Sequence, residues 1–245
     1  TYWKGLVNGV SGAAPITKFD ATNFKTQFAC EVKDWDVSEF LDRKESRKMD
    51  LFAQYAVVCS DQALEDAGLL GEDSPVNPDR AGVIWGSGIG GFQTFMNEAL
   101  NFHRSEGIPR FSPFFIPMMI SDIAAGHISM RHGYRGPNFC TVSACASGTN
   151  AMIDAFNYIR LGKADVMVTG GSEAAVTEGG IGGFNALKAL STRNDEPAKA
   201  SRPFDSTRDG FVLGEGGGAI ILEEYEHAKA RGATIYCEMV GGGMS

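Results

Sequence analysis

Among the residues able to do covalent chemistry, Cys145 has the most informative setting: Thr141-Val142-Ser143-Ala144-Cys145-Ala146-Ser147-Gly148-Thr149. A short apolar run carrying Phe139 and Val142 leads into this stretch. A helix-like segment from Asn150 to Leu161 follows it and ends at Gly162-Lys163. The order predicts strand, tight turn and helix, with the thiol at the turn. Backbone N–H groups at a helix start lack intrahelical partners and sit at the positive end of the helix dipole. They therefore favour a thiolate and can hold a developing oxyanion. The thiolate is the nucleophile, so the position suits covalent catalysis. A free cysteine is also commonly a small buried hydrophobe, and the residues alone leave both readings open. An esterase elbow fits less well, because it wants Gly two residues before and after the nucleophile, where Ser143 and Ser147 stand.

The other chemical candidates are weaker. Gly86-Ser87-Gly88-Ile89-Gly90-Gly91 fits G-x-G-x-x-G after a strand, with Glu106 near the distance of a ribose-binding acid. That acid should end a second apolar strand, whereas Arg104-Ser105-Glu106-Gly107 follows a helix. Close backbone packing at a strand-to-helix turn is the better reading. The four histidines, His103, His127, His132 and His227, sit in or at the ends of helical segments, and none stands in a catalytic motif. Ser201-Arg202-Pro203-Phe204-Asp205 with Arg208-Asp209-Gly210-Phe211 reads as ion pairs holding a buried loop, and Gly170-Gly171-Ser172-Glu173 as a structural turn. Asp42-Arg43-Lys44-Glu45-Ser46-Arg47-Lys48 is either a solvated helix start or a basic patch for an acidic partner, which Lys188 could extend.

The elements that must position these groups alternate. Helical spacing is expected over Ser46 to Ala67 with Gly68 as the stop, and over Phe92–Phe102, Met118–His132, Ile181–Ala189 and Tyr225–Ala230. The chain opens in a helix-like Tyr2-Trp3-Lys4-Gly5-Leu6, and residues 16–45 read mostly as loop. Apolar strands covered on both faces are expected at Ala81–Trp85, Asp165–Thr169 and Gly218–Leu222, and a last strand at Ile235–Val240. Strands alternating with helices predict an α/β layered architecture with a largely parallel sheet, without an internal repeat or low-complexity linker.

Composition sets the class. The 245 residues are 43% hydrophobic, with 31 glycines in short clusters between apolar runs, which suits a globular enzyme-like chain. No apolar stretch is long enough for a membrane span, so a soluble protein is expected. Five scattered cysteines without a C-x-x-C pair argue against zinc and fit a reducing, cytoplasmic compartment. A formal charge of -8 argues against general nucleic-acid binding.

Taken in order, Val142 to Gly148, Asp165 to Glu173, Ala189-Leu190-Ser191-Thr192-Arg193-Asn194 and Arg202-Pro203-Phe204-Asp205 through Gly216 resemble the β-ketoacyl-acyl carrier protein synthases, most of all the bacterial elongating type. The resemblance implies a thiolase-like fold, layered α-β-α-β-α, of which residues 1–245 would be the N-terminal half plus the start of the connection to the second half. It implies a decarboxylative Claisen condensation of an acyl-enzyme thioester with malonyl-acyl carrier protein, giving a 3-oxoacyl-acyl carrier protein in fatty acid elongation. No cofactor beyond the carrier's phosphopantetheine arm is implied; the partners are acyl carrier protein and a second copy in a homodimer.

Cys145 matches the acyl-accepting nucleophile, with its own N–H as an oxyanion donor. Ile89 and Phe184 match acyl-pocket positions, and Phe115 one reaching the neighbouring subunit's pocket. Lys44, Arg47, Lys48 and Lys188 match carrier-protein contacts. The family's two catalytic histidines, its lysine and its Gly-Phe-Gly-Gly loop have no counterpart in these residues, and its first strand is also expected to be missing. Thiolase, which works on coenzyme A thioesters, and a non-catalytic truncated fragment are the competing readings.

Overall fold

The computed structural model describes residues 2–71 and 74–244. Thr1 and Ser245, the ends of the expected 1–245 domain, lie outside the described residues, as do Glu72 and Asp73. In chain order the elements are α1 (Tyr2–Val7), β1 (Ala14–Pro15), β2 (Phe28–Ala29), α2 (Arg43–Ser46), α3 (Leu51–Asp66), β3 (Ala81–Gly86), α4 (Phe92–Arg104), α5 (Phe115–Met119), α6 (Ile123–His132), β4 (Asn138–Thr141), α7 (Ser147–Arg160), β5 (Val166–Glu173), α8 (Glu178–Ala186), β6 (Gly216–Glu223) and α9 (Tyr225–Ala230). They divide into two compact units, Thr1–Trp35 with Ala174–Gly216, and Asp36–Glu173 with Gly217–Ser245.

The unit holding Asp36–Glu173 is built on a four-stranded sheet of order β4-β3-β5-β6. β3 runs parallel to both β4 and β5. Every residue of β3 is buried, as is most of β5, which is what near-continuous apolar strands covered on both faces require. Ile84 and Met167 pack with Ala151 and Ala155 of α7. Small residues on that helix let it lie close to the sheet. Side chains alternate along a strand, so the next residue, Trp85, faces the other way, where its indole N–H donates to Ser172 Oγ at 2.9 Å. On that face α3 lies against β5, and α6 lies against β3 and β4. β6 closes the sheet at its edge and is half-exposed along its length, short of the double cover expected for Gly218–Leu222.

The other unit is small. β1 pairs antiparallel with β2, and Ala29, Val176, Ile181, Leu190 and Leu213 form its core with Phe184 packed against them. The Glu215 carboxylate, buried in this unit, accepts from the Lys18 ammonium at 2.5 Å and the Val32 N–H at 3.1 Å. The Ser201–Phe211 loop does not match the expected buried one. Arg202 pairs with Asp205 at 3.2 Å and Asp205 accepts from Thr207, yet most of the loop is exposed and Phe204 fully so. Its charges stay in water, which is the cheaper place for them.

Four further expectations are corrected. The single helix over Met118–His132 is two helices, because Ile120 is extended and the Met119 carbonyl accepts the Gly91 N–H at 2.9 Å. The helix expected from Ser46 begins at Leu51. Extended Asp50 caps it, accepting from the Phe52 N–H, while its other oxygen takes the Thr94 N–H and hydroxyl. Gly170 to Glu173 continue β5 rather than turning. At Gly170 a Cβ would stand 2.0 Å from the Gly218 carbonyl oxygen, so glycine serves close packing there. Ile235–Val240 is not a strand: its residues are largely exposed and no strand pairs with it among the described residues, and an apolar pattern without a partner leaves backbone groups to water. Within the expected loop at residues 16–45, β2 and α2 are short insertions.

The glycines facing backbone generate a stability prediction. A Cβ on Gly86 would lie 2.4 Å from Ser147 C and Gly148 N, whereas one on Gly183 in α8 meets nothing within 4 Å. Gly86→Ala is expected to cost about 3 kcal/mol or more, the upper end of overpacking. Gly183→Ala is expected to be neutral or to stabilise by up to ~1 kcal/mol. Urea unfolding midpoints measure both, and similar midpoints for the two variants would contradict the packing argument.

Candidate active site

Three parallel strands come level at their carboxyl ends, with β5 running two residues further. Gly86 of β3 is level with Thr141 of β4 on one side and Gly171 of β5 on the other. Ligands in open α/β sheets bind beyond such carboxyl ends. The turn carrying Cys145 follows β4, the glycine turn Ser87–Gly91 follows β3, and Glu173 is the last residue of β5.

Glycines bring the start of α7 onto these strand ends. Besides the Gly86 contacts, a Cβ on Gly171 would lie 3.0 Å from the Gly86 carbonyl oxygen and 3.1 Å from Gly148 Cα. No side chain separates the sheet from the first turn of α7 there, so the helix terminus is fixed by backbone contact. Helix α7 starts at Ser147 with Ala146 as its cap, three residues before the expected Asn150, which sets Cys145 directly ahead of the cap.

The turn itself is cross-tied. The Ser147 hydroxyl donates to the Ala144 carbonyl at 2.6 Å and accepts the Ser143 N–H at 2.9 Å. Thr141 Oγ1 donates to the Ser147 carbonyl at 2.8 Å, and the Asn150 amide donates to Ser143 Oγ at 2.7 Å. Ala144 has φ 51, in the left-handed region where a Cβ costs about 1–2 kcal/mol. This strained residue sits directly before an exposed thiol and is held by the bonds around it. The arrangement aims the thiol into solvent at the positive end of a 14-residue helix.

Glu173 reads as part of a structural turn in the sequence, yet its carboxylate holds the neighbouring glycine turn. Its Oε2 accepts the Gly88 N–H at 2.6 Å and the Ile89 N–H at 3.2 Å, and its Oε1 accepts the Ser87 hydroxyl at 3.1 Å. The Gly90 N–H in turn donates to Ser87 Oγ at 3.1 Å. Burial pushes the Glu173 carboxyl up, opposed by those donors from Gly88, Ser87 and Ile89. Gly88 lies between this carboxylate and the Cys145 turn, for a Cβ on it would stand 2.8 Å from Glu173 Oε2 and 3.6 Å from the Ala144 carbonyl oxygen. A Cβ there would displace the Glu173 carboxylate. Gly90 and Gly91 press on the backbone of Met118 and Met119, which gives the G-x-G-x-x-G pattern a packing role.

The remaining candidates fall in several places. Ile89 is exposed at the tip of the glycine turn. Phe115 stacks between Phe95 and Phe111 at 6.4 and 5.6 Å, and Phe111 stacks on Phe102 at 5.4 Å. This aromatic row was not anticipated; the recurrence of Phe at 95, 102, 111 and 115 is its only sequence signal. Lys44, Arg47 and Lys48 are exposed together at α2 and the turn after it, and Lys48 Nζ lies 5.5 Å from the Phe114 ring. Beside them Arg131 is neutralised by Glu45 and Asp61 at 3.0 and 2.9 Å. Phe184 and Lys188 belong to the other compact unit, Lys188 exposed and Phe184 edge-on to Phe211.

Two histidines pair with carboxylates, whereas the buried His127 Nε2 has no hydrogen-bond partner among the described residues. His132 contacts Asp61 at 2.9 Å, His227 contacts Glu223 at 2.6 Å, His103 ends α4, and burial lowers the pKa of His127 within α6. Among the described residues no three His, Cys, Asp or Glu side chains group as metal ligands, and no helix is long and apolar enough to cross a membrane.

Thiol chemistry separates the cysteines. Burial pushes Cys140 up to about 11 and Cys59 to about 12, and raises Cys30, whereas Cys145 and Cys237 are exposed. At pH 8 roughly one Cys140 in a thousand is thiolate. Iodoacetamide at that pH is expected to label Cys145 and Cys237 well before Cys140 and Cys59, as read by peptide mass mapping. Faster labelling of Cys140 would contradict this ranking.

The comparisons agree with this geometry. The chain is 50% identical to "3-oxoacyl-[acyl-carrier-protein] synthase 2" of Synechocystis sp., over 100% of this chain and 58% of that relative. It therefore spans less than two thirds of the length of the curated relative it matches. A crystal structure of a beta-ketoacyl synthase from Burkholderia phymatum superposes with a TM-score of 0.85 at 34% identity, covering 95% of this chain and 56% of that one. A type II PKS acyl-carrier protein in complex with its ketosynthase bound to the hexaketide gives a TM-score of 0.73 at 25% identity, covering 86% and 57%. These neighbours are ketosynthases, and the fold is thiolase-like α/β. The model described as beta-ketoacyl synthase, N-terminal domain, matches residues 1–228, and the chain belongs to that family.

Proposed function

We propose that this chain carries the acyl-accepting half of a 3-oxoacyl-acyl carrier protein synthase of fatty acid elongation. The observation that carries the reading is the exposed Cys145 ahead of the α7 terminus, at the level carboxyl ends of β3, β4 and β5. In the proposed first step the Cys145 thiolate attacks the carbonyl carbon of an acyl thioester on acyl carrier protein. The carbonyl oxygen becomes an oxyanion at the Cys145 N–H, near the positive end of the α7 dipole, since the Ala146 and Ser147 N–H groups already donate to the Ser143 and Ala144 carbonyls. Collapse breaks the bond to the phosphopantetheine sulfur, which leaves and takes up a proton, and the acyl group stays on Cys145. Phosphopantetheine belongs to the carrier and needs no separate cofactor site.

In the second step malonyl-carrier protein loses carbon dioxide, its carbanion attacks the acyl-Cys145 carbonyl, and the thiolate departs. The product is 3-oxoacyl-carrier protein, two carbons longer. The four histidines of these residues are placed in or at the ends of α4, α6 and α9 and are not assigned to this step.

Ile89, Phe115 and Phe184 are proposed to line the acyl pocket, Phe115 that of a second copy in a homodimer. The half-exposed aromatic row around Phe115 supports a second copy there. Lys44, Arg47, Lys48 and Lys188 are proposed contacts for the acidic carrier protein. Among the described residues none of these cations has an ion-pair partner, and Lys44 and Lys48 border a depression of about 450 Å³ beside α2 and α6. The complex of a ketosynthase with its acyl-carrier protein supports the same partner. A cytoplasmic location fits the five free cysteines.

Two measurements test the reading. Incubation with an acyl-carrier protein thioester is expected to add one acyl group by intact mass, located on Cys145 and absent from Cys145→Ser; an adduct that persists there or maps to Cys140 would reject the assignment. Lys44→Glu with Arg47→Glu is expected to lower kcat/KM for carrier-borne donors by about ten-fold or more while sparing acyl-pantetheine donors. Equal loss on both donors would contradict a docking role.

A further inference from the structure

Glu173 lies outside every role assigned so far, although its carboxylate is the centre of a bond network beside the nucleophile. All its partners are donors: the Ser87 hydroxyl and the Gly88 and Ile89 N–H groups. An ionised carboxylate is acceptor-only, so it satisfies every one of them without reorienting. The turn it grips carries Ile89 outward and brings Gly88 near the residue before Cys145, since a Cβ on Gly88 would stand 3.6 Å from the Ala144 carbonyl oxygen. An acyl chain bound to the Cys145 sulfur that runs toward this turn meets Ile89, and the position of Ile89 is set by what holds its own N–H.

We propose that Glu173 is a positioning residue: it locks the Ser87–Gly90 turn against the Cys145 turn and so sets, through Ile89, which acyl chain lengths Cys145 accepts. This rests on the acyl-transfer reading above. Glutamine at this position keeps the shape but replaces one acceptor oxygen by a donor: turned toward Gly88 it opposes an N–H, and turned toward Ser87 it reverses that bond, so that the hydroxyl must accept where it donated. The turn loosens while the sheet beneath it, held by β3 and β5 pairing, does not.

The test is a double-mutant cycle in the complete protein that contains this chain. Its readout is the ratio of kcat/KM for Cys145 acylation by a long and by a short acyl donor. Glu173→Gln is expected to shift this ratio by about five-fold, in the same direction as Ile89→Ala. In the Ile89→Ala background the same change is expected to shift it by less than about two-fold, because the side chain through which Glu173 acts is gone.

Asp165→Asn, which disturbs the Arg80 pair far along β5's other end, is the stability control and leaves the ratio unchanged. A folded Glu173→Gln protein with an unchanged ratio, or equal shifts in both backgrounds, overturns the proposal. If Glu173→Gln does not fold, Ser87→Ala enters the same cycle with a smaller shift expected and the same overturning results. Failure of the unsubstituted protein to take acyl on Cys145 removes the acyl-transfer reading and this inference with it. Normal acylation with an unresponsive ratio removes the inference alone.

Discussion

The site depends on backbone touching backbone. Gly86 at the end of β3, Gly171 in β5 and Gly148 in the first turn of α7 meet without intervening side chains, at Gly86 closer than a Cβ allows and at Gly171 with little room for one. That contact fixes the height of the helix terminus above the parallel strands. Everything chemical about Cys145 follows from this height: it fixes where the dipole end lies, which direction the thiol faces and where an oxyanion would meet the Cys145 N–H. A helix docked through side chains would stand farther off and leave the terminus free to shift.

The neighbouring groups preserve that placement. Ser147 ties the strained Ala144 to the helix it precedes, and Asn150 reaches back to Ser143, so the turn is over-determined where it must hold a left-handed alanine. Glu173 supports the parallel turn after β3 in the same manner, with a carboxylate in place of a hydroxyl. Each of the three strands thus ends in a polar device rather than in a loop free to move. The basic surface at α2 stands apart from these devices: its lysines and arginine face water and make no demand on the turn.

Much of this was legible in the sequence, for physical reasons that differ by element. The β3 strand and α7 announce themselves because an apolar run and a 3.6-residue period survive whatever packs on them, and Tyr225–Ala230 is helical as spacing predicts. Cys145 was legible from its place between the short apolar run of β4 and the start of α7. Tertiary bonds erased other signals. The Met118–His132 period is cut where a distant glycine turn takes the Met119 carbonyl, and Asp50 leaves the helix to bond Thr94. Ile235–Val240 has strand residues but no partner strand, which no local pattern reveals. Glu173 was read as part of a turn because its partners lie more than eighty residues away, at Ser87 to Ile89.

The most direct measurement of the central claim is a crystal structure of the adduct formed with a short acyl thioester. Expected is density continuous with Cys145 Sγ, the acyl carbonyl oxygen turned toward the Cys145 N–H at the α7 start, and the chain passing the Ser87–Gly90 turn. Density on another cysteine, or an acyl carbonyl turned away from the helix start, would contradict it.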